Sequence, residues 1–239
     1  MKLPLSDLEY KEITCSSIRR SAMGDTKETE KYFTGHLPRF LEQKKFIDSF
    51  VHLAPDSKVL DCGTWFPFVS WYMRYKFGAD VSFTCLDLPD TGKFRTIFEI
   101  DQCHGFRSNL CFDDYGTETF DFIFLTECLE HLPCNLYPVR DGIIRALRPG
   151  GWLMVSYPLG VKGRNIQTCD YDKDLKLSFD KSYGHLREFT RETAEEFITT
   201  LPKIEHKEVW TDAYGGNILQ MLYAKPKPIT TESEIEQRG

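Results

Sequence analysis

Two acidic residues close apolar runs in the first half of this chain, and their surroundings suit ligand binding. Lys58-Val-Leu60 leads into Asp61, then Cys62 and Gly63. An aromatic-rich stretch to Tyr75 follows. That pattern predicts a buried strand, a tight turn and the first turns of a helix. A turn of this kind puts a carboxylate and backbone N–H groups at the carboxyl end of a parallel strand, where open α/β sheets bind ligands. Gly63 would let the backbone come close to a ligand. Val81-Ser-Phe-Thr-Cys-Leu86 then ends in Asp87. One carboxylate there can accept hydrogen bonds from both hydroxyls of a ribose. A third run, Phe120–Thr126, is followed by Glu127-Cys-Leu-Glu130-His131. A histidine has an ordinary pKa near neutrality, so His131 is a candidate general base. It can equally cap or buttress the next helix. No His/carboxylate set has metal-ligand spacing, and no metal is expected.

The elements that must position these residues are legible in outline. Residues 1–35 are polar with scattered apolar positions and predict one or two short helices, separated near Gly24 and Asp25. Phe40–Leu53 has helical periodicity, with Phe40, Leu41, Phe46, Ile47, Phe50 and Val51 apolar. Val69–Phe77 predicts the helix after the turn, with Gly78 as its C-cap. Lys93–Cys103 reads as helical, and a third strand is weakly signalled at Arg107–Phe112. Asp121–Thr126 is apolar enough for a central strand. Asn135–Leu147 predicts a helix with Ile143, Ile144 and Leu147 inward, ended by Pro149-Gly150-Gly151, before a strand to Tyr157-Pro158. Thr190 is a good N-cap for a helix to about Leu201. Lys203–Thr211 and Asn217–Ala224 predict two closing strands joined through Tyr214-Gly215-Gly216. The tail from Lys225 is rich in Pro, Thr and Glu, and disorder is expected there.

The pieces Val59-Leu-Asp-Cys-Gly63, Leu86-Asp-Leu-Pro-Asp90, Phe120–Leu132 and Leu147-Arg-Pro-Gly-Gly151 occur in an order and spacing that resemble the class I S-adenosylmethionine-dependent methyltransferases. The resemblance covers roughly residues 56–225. It implies an α/β, Rossmann-like fold: a mostly parallel seven-stranded sheet with an antiparallel closing strand and helices on both faces. It implies S-adenosylmethionine as cofactor, with Asp61, Gly63, Thr64, Trp65, Asp87, Leu88, Asp113 and Glu127 as its binding residues. Asp113, with Asp114 close behind, would reach the adenine amino group. Both are equally readable as solvated acids in a turn. His131 and His185 are the candidate bases beside the reactive methyl group. Residues 1–55 would cover the cofactor, with Tyr32, Phe33, His36 and Arg39 nearest the pocket; Tyr32 and Phe33 can also simply pack on the sheet.

The chain departs from the family in its glycine-rich turn. Only Gly63 is present, and Trp65 and Pro67 stand at the later glycine positions. Either the turn has another shape that still binds cofactor, as in the methyltransferase-like proteins of polysaccharide gene clusters whose Phe-Pro turns it resembles, or cofactor binding is lost and the fold retained. Residues 159–184 read as an acceptor-site insertion. Their mix of charges and aromatics suits a sugar or nucleotide-linked metabolite. Lys162 and Arg164 can bind a phosphate or sit solvated in the loop.

Composition narrows the partners. The 239 residues suffice for one α/β domain with a sizeable core. A net charge of −6 argues against nucleic acid as the main partner. No stretch is long and apolar enough to span a bilayer, and the N-terminus lacks a signal-peptide core. The eight cysteines show no zinc-type CxxC pair, so reduced, packed thiols in a cytoplasmic protein are expected. The leading expectation is methyl transfer to an oxygen of a small polar acceptor. The rivals are a binding or scaffold protein that keeps the fold without turnover and a nicotinamide-dependent reductase, which the missing glycine fingerprint disfavours. Oligomeric state is not readable.

Overall fold

The computed structural model describes residues 3–20, 26–63, 68–78, 82–87, 103–107, 110–132, 134–159, 189–190, 192–193, 204–211 and 217–227. In chain order these form α1 (Asp7–Arg20), α2 (Thr26–Gly35), α3 (Leu37–Phe50), β1 (Lys58–Cys62), α4 (Phe68–Phe77), β2 (Ser82–Asp87) and β3 (Cys103–Arg107). Then come β4 (Phe120–Thr126), a 3-10 turn at Leu129–His131, α5 (Leu136–Ala146), β5 (Leu147–Leu159), β6 (Ile204–Thr211) and β7 (Asn217–Ala224). Among the described residues the strands make one sheet, in the order β3-β2-β1-β4-β5-β7-β6. Pairing is parallel from β3 through β5, and β7 runs antiparallel to both β5 and β6. The order reverses between β1 and β4, and the carboxyl ends of strands at such a reversal are where open α/β sheets bind ligands.

The central strands are covered on both faces, which is why they read as nearly unbroken apolar runs. Successive side chains alternate. Val59, Phe122, Phe124 and Met154 face the helices α1 to α4. Leu60, Ile123, Leu125, Leu153 and Val155 face α5 and the segment around the 3-10 turn. The N-terminal helices are bound into the first of these layers by aromatic rings. Phe33 stacks on Phe68 at 5.0 Å, Phe40 lies 4.7 Å from Phe68, and Tyr10 meets Tyr72 edge-on at 5.2 Å. A buried polar knot adds to them. Asp48 on α3 accepts hydrogen bonds from Lys44, Lys76 and Tyr72, and Lys76 also donates to the Ile47 carbonyl. Two lysine ammonium groups are held in this interior by one carboxylate that serves both, with Asp7 a longer second contact for Lys44 at 3.8 Å.

Several elements differ from the sequence expectation. α3 starts at Leu37 because Pro38, with its fixed φ, suits a first helical turn; Phe50 at its other end is exposed. β3 lies at Cys103–Arg107 and not at Arg107–Phe112. Leu110 is instead tucked into the core on the α5 face, and Cys111 forms a disulfide with Cys134, their Cα atoms 5.8 Å apart. The expectation of reduced thiols throughout is therefore wrong for this pair, whose sequence separation hid their proximity; Cys15, Cys62 and Cys128 are buried thiols outside any disulfide. Cys103, expected to end a helix, is the first residue of β3. Pro149-Gly150-Gly151 does not terminate α5, which ends at Ala146; these residues open β5. Gly151 is required there, since a Cβ would come within 2.9 Å of the Arg148 and Asp121 carbonyl oxygens. Ile144 is only partly buried. Lys225 is anchored and not part of a loose tail: its ammonium donates to the Ile144 and Leu147 carbonyls at the end of α5. The expectations for residues 24–25, 159–184 beyond the β5 end at Leu159, 214–216 and 228–239 fall outside the described residues. No helix among the described residues is long and apolar enough to cross a membrane.

Burial opposes the charge on Asp48, but hydrogen bonds from Lys76, Tyr72 and Lys44 outweigh it and hold the carboxyl below its ordinary 3.8. Its contribution to stability is thus present above that value and lost as pH falls through the lower folded one. Asp48→Asn should cost roughly 2–4 kcal/mol at neutral pH, because buried Lys76 loses its carboxylate and Lys44 is left with the longer Asp7 contact. Denaturant unfolding of both proteins at pH 7 and in acid should show the difference shrinking in acid.

Candidate active site

The alternation of β1 puts Asp61 on the same face as Val59, toward α4. There its carboxylate accepts a 2.6 Å hydrogen bond from the buried Ser70 hydroxyl. Asp61 is itself buried. One of its oxygens is thus committed to holding α4 against the strand end. Gly63 follows with φ +72°. A Cβ on Gly63 would lie 2.6 Å from the Cys128 sulfur and 2.9 Å from its Cβ. Within the described residues, then, the glycine serves a close approach of the β1 turn to the segment after β4.

That segment carries the densest polar contacts at the carboxyl edge. Glu127 has φ +50°, uncommon for a residue with a side chain. Three contacts hold it there. Its N–H donates to the Ser156 carbonyl at 3.1 Å. Its Oε1 accepts from the Ser156 hydroxyl at 2.8 Å, and its Oε2 pairs with the Arg39 guanidinium at 3.2 Å. Arg39 comes from the first turn of α3 and is almost wholly buried. It also donates to the Tyr32 hydroxyl at 2.8 Å and lies over the Phe40 ring at 4.9 Å. The N-terminal helices therefore reach the carboxyl edge through a charged contact.

Glu130, in the 3-10 turn, is 1% exposed. Its Oε2 has no hydrogen-bond partner among the described residues. Burial first, and the Glu127 charge second, push its carboxyl well above the usual carboxylate range; its own backbone N–H and Arg39 pull less strongly the other way. The guanidinium is paired with Glu127, so Glu130 lacks a cation of its own to offset its burial. His131 is about a third exposed, with Nε2 3.6 Å from Glu130 Oε1. The edge thus offers an accessible imidazole, a buried acid behind it whose charged form is disfavoured, and a paired carboxylate.

The other candidates are placed less completely. Asp87 ends β2, level with Arg107 across the pair to β3; its side chain lies outside the described residues. Asp113 is exposed, on the segment that the Cys111–Cys134 disulfide ties to the β4 side. Asp114 is bonded to Arg145 and the Gly116 N–H, which lower its pKa. Thr64, Trp65, Leu88 and His185 lie outside the described residues. Phe33 is fully buried against Phe40 and Phe68, a packing role. Ser70, Cys128 and Ser156 were not singled out from sequence. Small residues inside apolar stretches carry no signal of their own. The burial of Glu130 does carry one, because it interrupts Cys-Leu-Glu-His-Leu.

No family model and no curated protein matches this sequence. Solved structures do match. Phosphoethanolamine N-methyltransferase 2 from Haemonchus contortus, in complex with S-adenosyl-L-methionine, superposes at a TM-score of 0.56 with 15% identity over 78% of this chain and 53% of that one. The chain thus spans about half the length of that enzyme. An S-adenosylmethionine-dependent methyltransferase from Mesorhizobium loti matches at a TM-score of 0.53 with 17% identity, over 80% of this chain and 98% of that one. This chain has the methyltransferase fold. The cyclase SpnF matches as well, at a TM-score of 0.58 with 13% identity, over 79% of this chain and 82% of that one. At such identities the likeness concerns the fold, and function must be argued from the site.

Gly63→Ala should lower stability by about 1–3 kcal/mol, from positive-φ strain and the clash with Cys128. Adding Cys128→Gly should recover part of the loss in thermal melting. A Gly63→Ala protein as stable as the parent would mean that the turn does not press on Cys128.

Proposed function

We propose that this protein is an S-adenosylmethionine-dependent methyltransferase that methylates an oxygen of a small polar acceptor, such as a sugar or nucleotide-linked metabolite. The observation that carries this reading is the placing of Asp61, Gly63, Glu127, Glu130 and His131 at the carboxyl edge where the strand order reverses. The fit to the cofactor is chemical. The buried, unpartnered Glu130 oxygen can face a cationic sulfonium, and Asp87 at the end of β2 suits a ribose. Asp61, Gly63, Thr64, Trp65, Asp87, Leu88 and Asp113 would hold the cofactor. Glu127, tied to Arg39 and Ser156, would shape the floor. The segment 1–55 would cover the site through Arg39, and residues 159–184 would wall the acceptor.

S-adenosylmethionine, when bound, supplies an activated methyl group on sulfur. The protein's work is to hold the acceptor oxygen in line with that methyl, to exclude water and to take the acceptor's proton. His131 is the base in this reading because it is accessible, whereas Glu130 behind it is closed off from an acceptor by its burial. His185 is the second candidate. A binding protein without turnover is the alternative. Glu127 favours it, since both of its oxygens are already engaged by Arg39 and Ser156.

Calorimetric titration should give micromolar binding of S-adenosylmethionine and S-adenosylhomocysteine, lost in Asp87→Ala. No binding of either would remove the enzyme reading. His131→Ala should cut turnover about 100-fold or more while leaving cofactor affinity nearly intact. Unchanged turnover would remove His131 from the mechanism and leave His185 to be tested.

A further inference from the structure

A buried acid with a spare oxygen, beside a neighbouring carboxylate whose partners are already fixed, is a charge waiting for a counter-charge. Glu127 is satisfied by Arg39 and by the Ser156 hydroxyl. Asp61 has committed an oxygen to Ser70. Glu130 is as buried as any of them, yet its Oε2 has no partner among the described residues. The groups that act on it come from every side. Arg39 stands on α3, Glu127 at the end of β4, His131 beside it in the 3-10 turn and Tyr157 on β5, with Arg140 of α5 acting on that tyrosine in turn. One cation and two carboxyl groups leave the cluster neutral only while Glu130 keeps a proton. A cation brought to this water-excluded edge needs an anion close by. Glu130 can become one by losing its proton.

We propose that Glu130 is the switchable counter-charge for the methyl donor: it holds a proton in the free protein and releases it when the cationic sulfonium binds at the carboxyl edge. This rests on the methyltransferase reading given above. The proton leaves the carboxyl for solvent by way of His131, which is partly exposed and 3.6 Å from Glu130 Oε1. No covalent bond is made or broken, and a carboxylic acid becomes a carboxylate plus one buffer proton. The consequence is discrimination between donor and product. The two share their adenosine and amino-acid parts and differ in the methyl group and the positive charge on sulfur. The charged donor induces ionisation of Glu130, and the neutral product does not. After transfer the site takes its proton back, which favours release of the product.

The test is titration calorimetry of the full chain with S-adenosylmethionine and, separately, S-adenosylhomocysteine, each near neutral pH in buffers of different ionisation enthalpy. The slope of apparent enthalpy against buffer enthalpy counts protons. The donor should release about one proton more than the product, and that difference should fade at higher pH, where Glu130 is already ionised. Glu130→Gln should abolish the difference and shift the donor-to-product affinity ratio about tenfold or more toward the product. Equal proton counts for the two ligands on the unmodified protein would overturn this inference and leave the methyltransferase reading standing. Binding of neither would overturn both. The count on the unmodified protein decides the matter even if Glu130→Gln does not fold.

Discussion

A guanidinium buried from water has to find an anion, and Arg39 finds Glu127. Much of the carboxyl edge follows from that pair. It draws the first turn of α3 to the end of β4. With the Ser156 contacts it holds Glu127 at a positive φ, and it consumes the charge that would otherwise neutralise Glu130. The acid left over has its carboxyl pushed up, by burial first and by the Glu127 charge second, because the local positive charge is already spent on its neighbour. One ion pair thereby joins the N-terminal helices to the backbone after β4 and leaves Glu130 without a cation of its own.

The pair can hold this position because the frame around it is rigid on both faces. On the α1 to α4 face, rings of Tyr10, Phe33, Phe40, Phe68 and Tyr72 interlock, and the Asp48 knot joins α3 to α4. On the other face, α5 and the segment around the 3-10 turn pack over Leu60, Ile123, Leu125, Leu153 and Val155. The disulfide fastens the segment after β3 to the one after the 3-10 turn. Side chains at the carboxyl edge are thus fixed by elements distant in sequence. Preorganisation of that kind is what a displacement reaction requires of a protein. The same frame in the cyclase SpnF is a reminder that it admits more than one chemistry.

Local pattern reached the strands and helices whose apolar residues follow a single period. β1, β4, α4 with its Gly78 cap, and the closing strands β6 and β7 lie within a residue or two of where periodicity places them. The position of Asp61 and Asp87 at strand ends was legible for the same reason. β3 was not, since its five residues, Cys103-His-Gly-Phe-Arg107, have no clear alternation and, among the described residues, pair only with β2. The opening of β5 was misread because Pro149-Gly150-Gly151 has the local look of a helix stop. Its extended form comes from Arg148 on Asp121 and from the crowding at Gly151.

Of the candidate site, the sequence by itself determined which chemical groups stand at the strand ends: Asp61 near the end of β1 and Gly63 after it, Asp87 at the end of β2, Glu127 to His131 after β4. Periodicity and turn residues act over a few positions, and that range suffices to place them. Which of those groups is paired and which is spare was decided by the tertiary structure alone. Arg39 meets Glu127 across 88 positions (127 minus 39), Ser70 reaches back to Asp61, and Cys111 finds Cys134. The charge state of a buried acid is the sum of such distant contacts and of the water they exclude, and no local stretch of chain contains either.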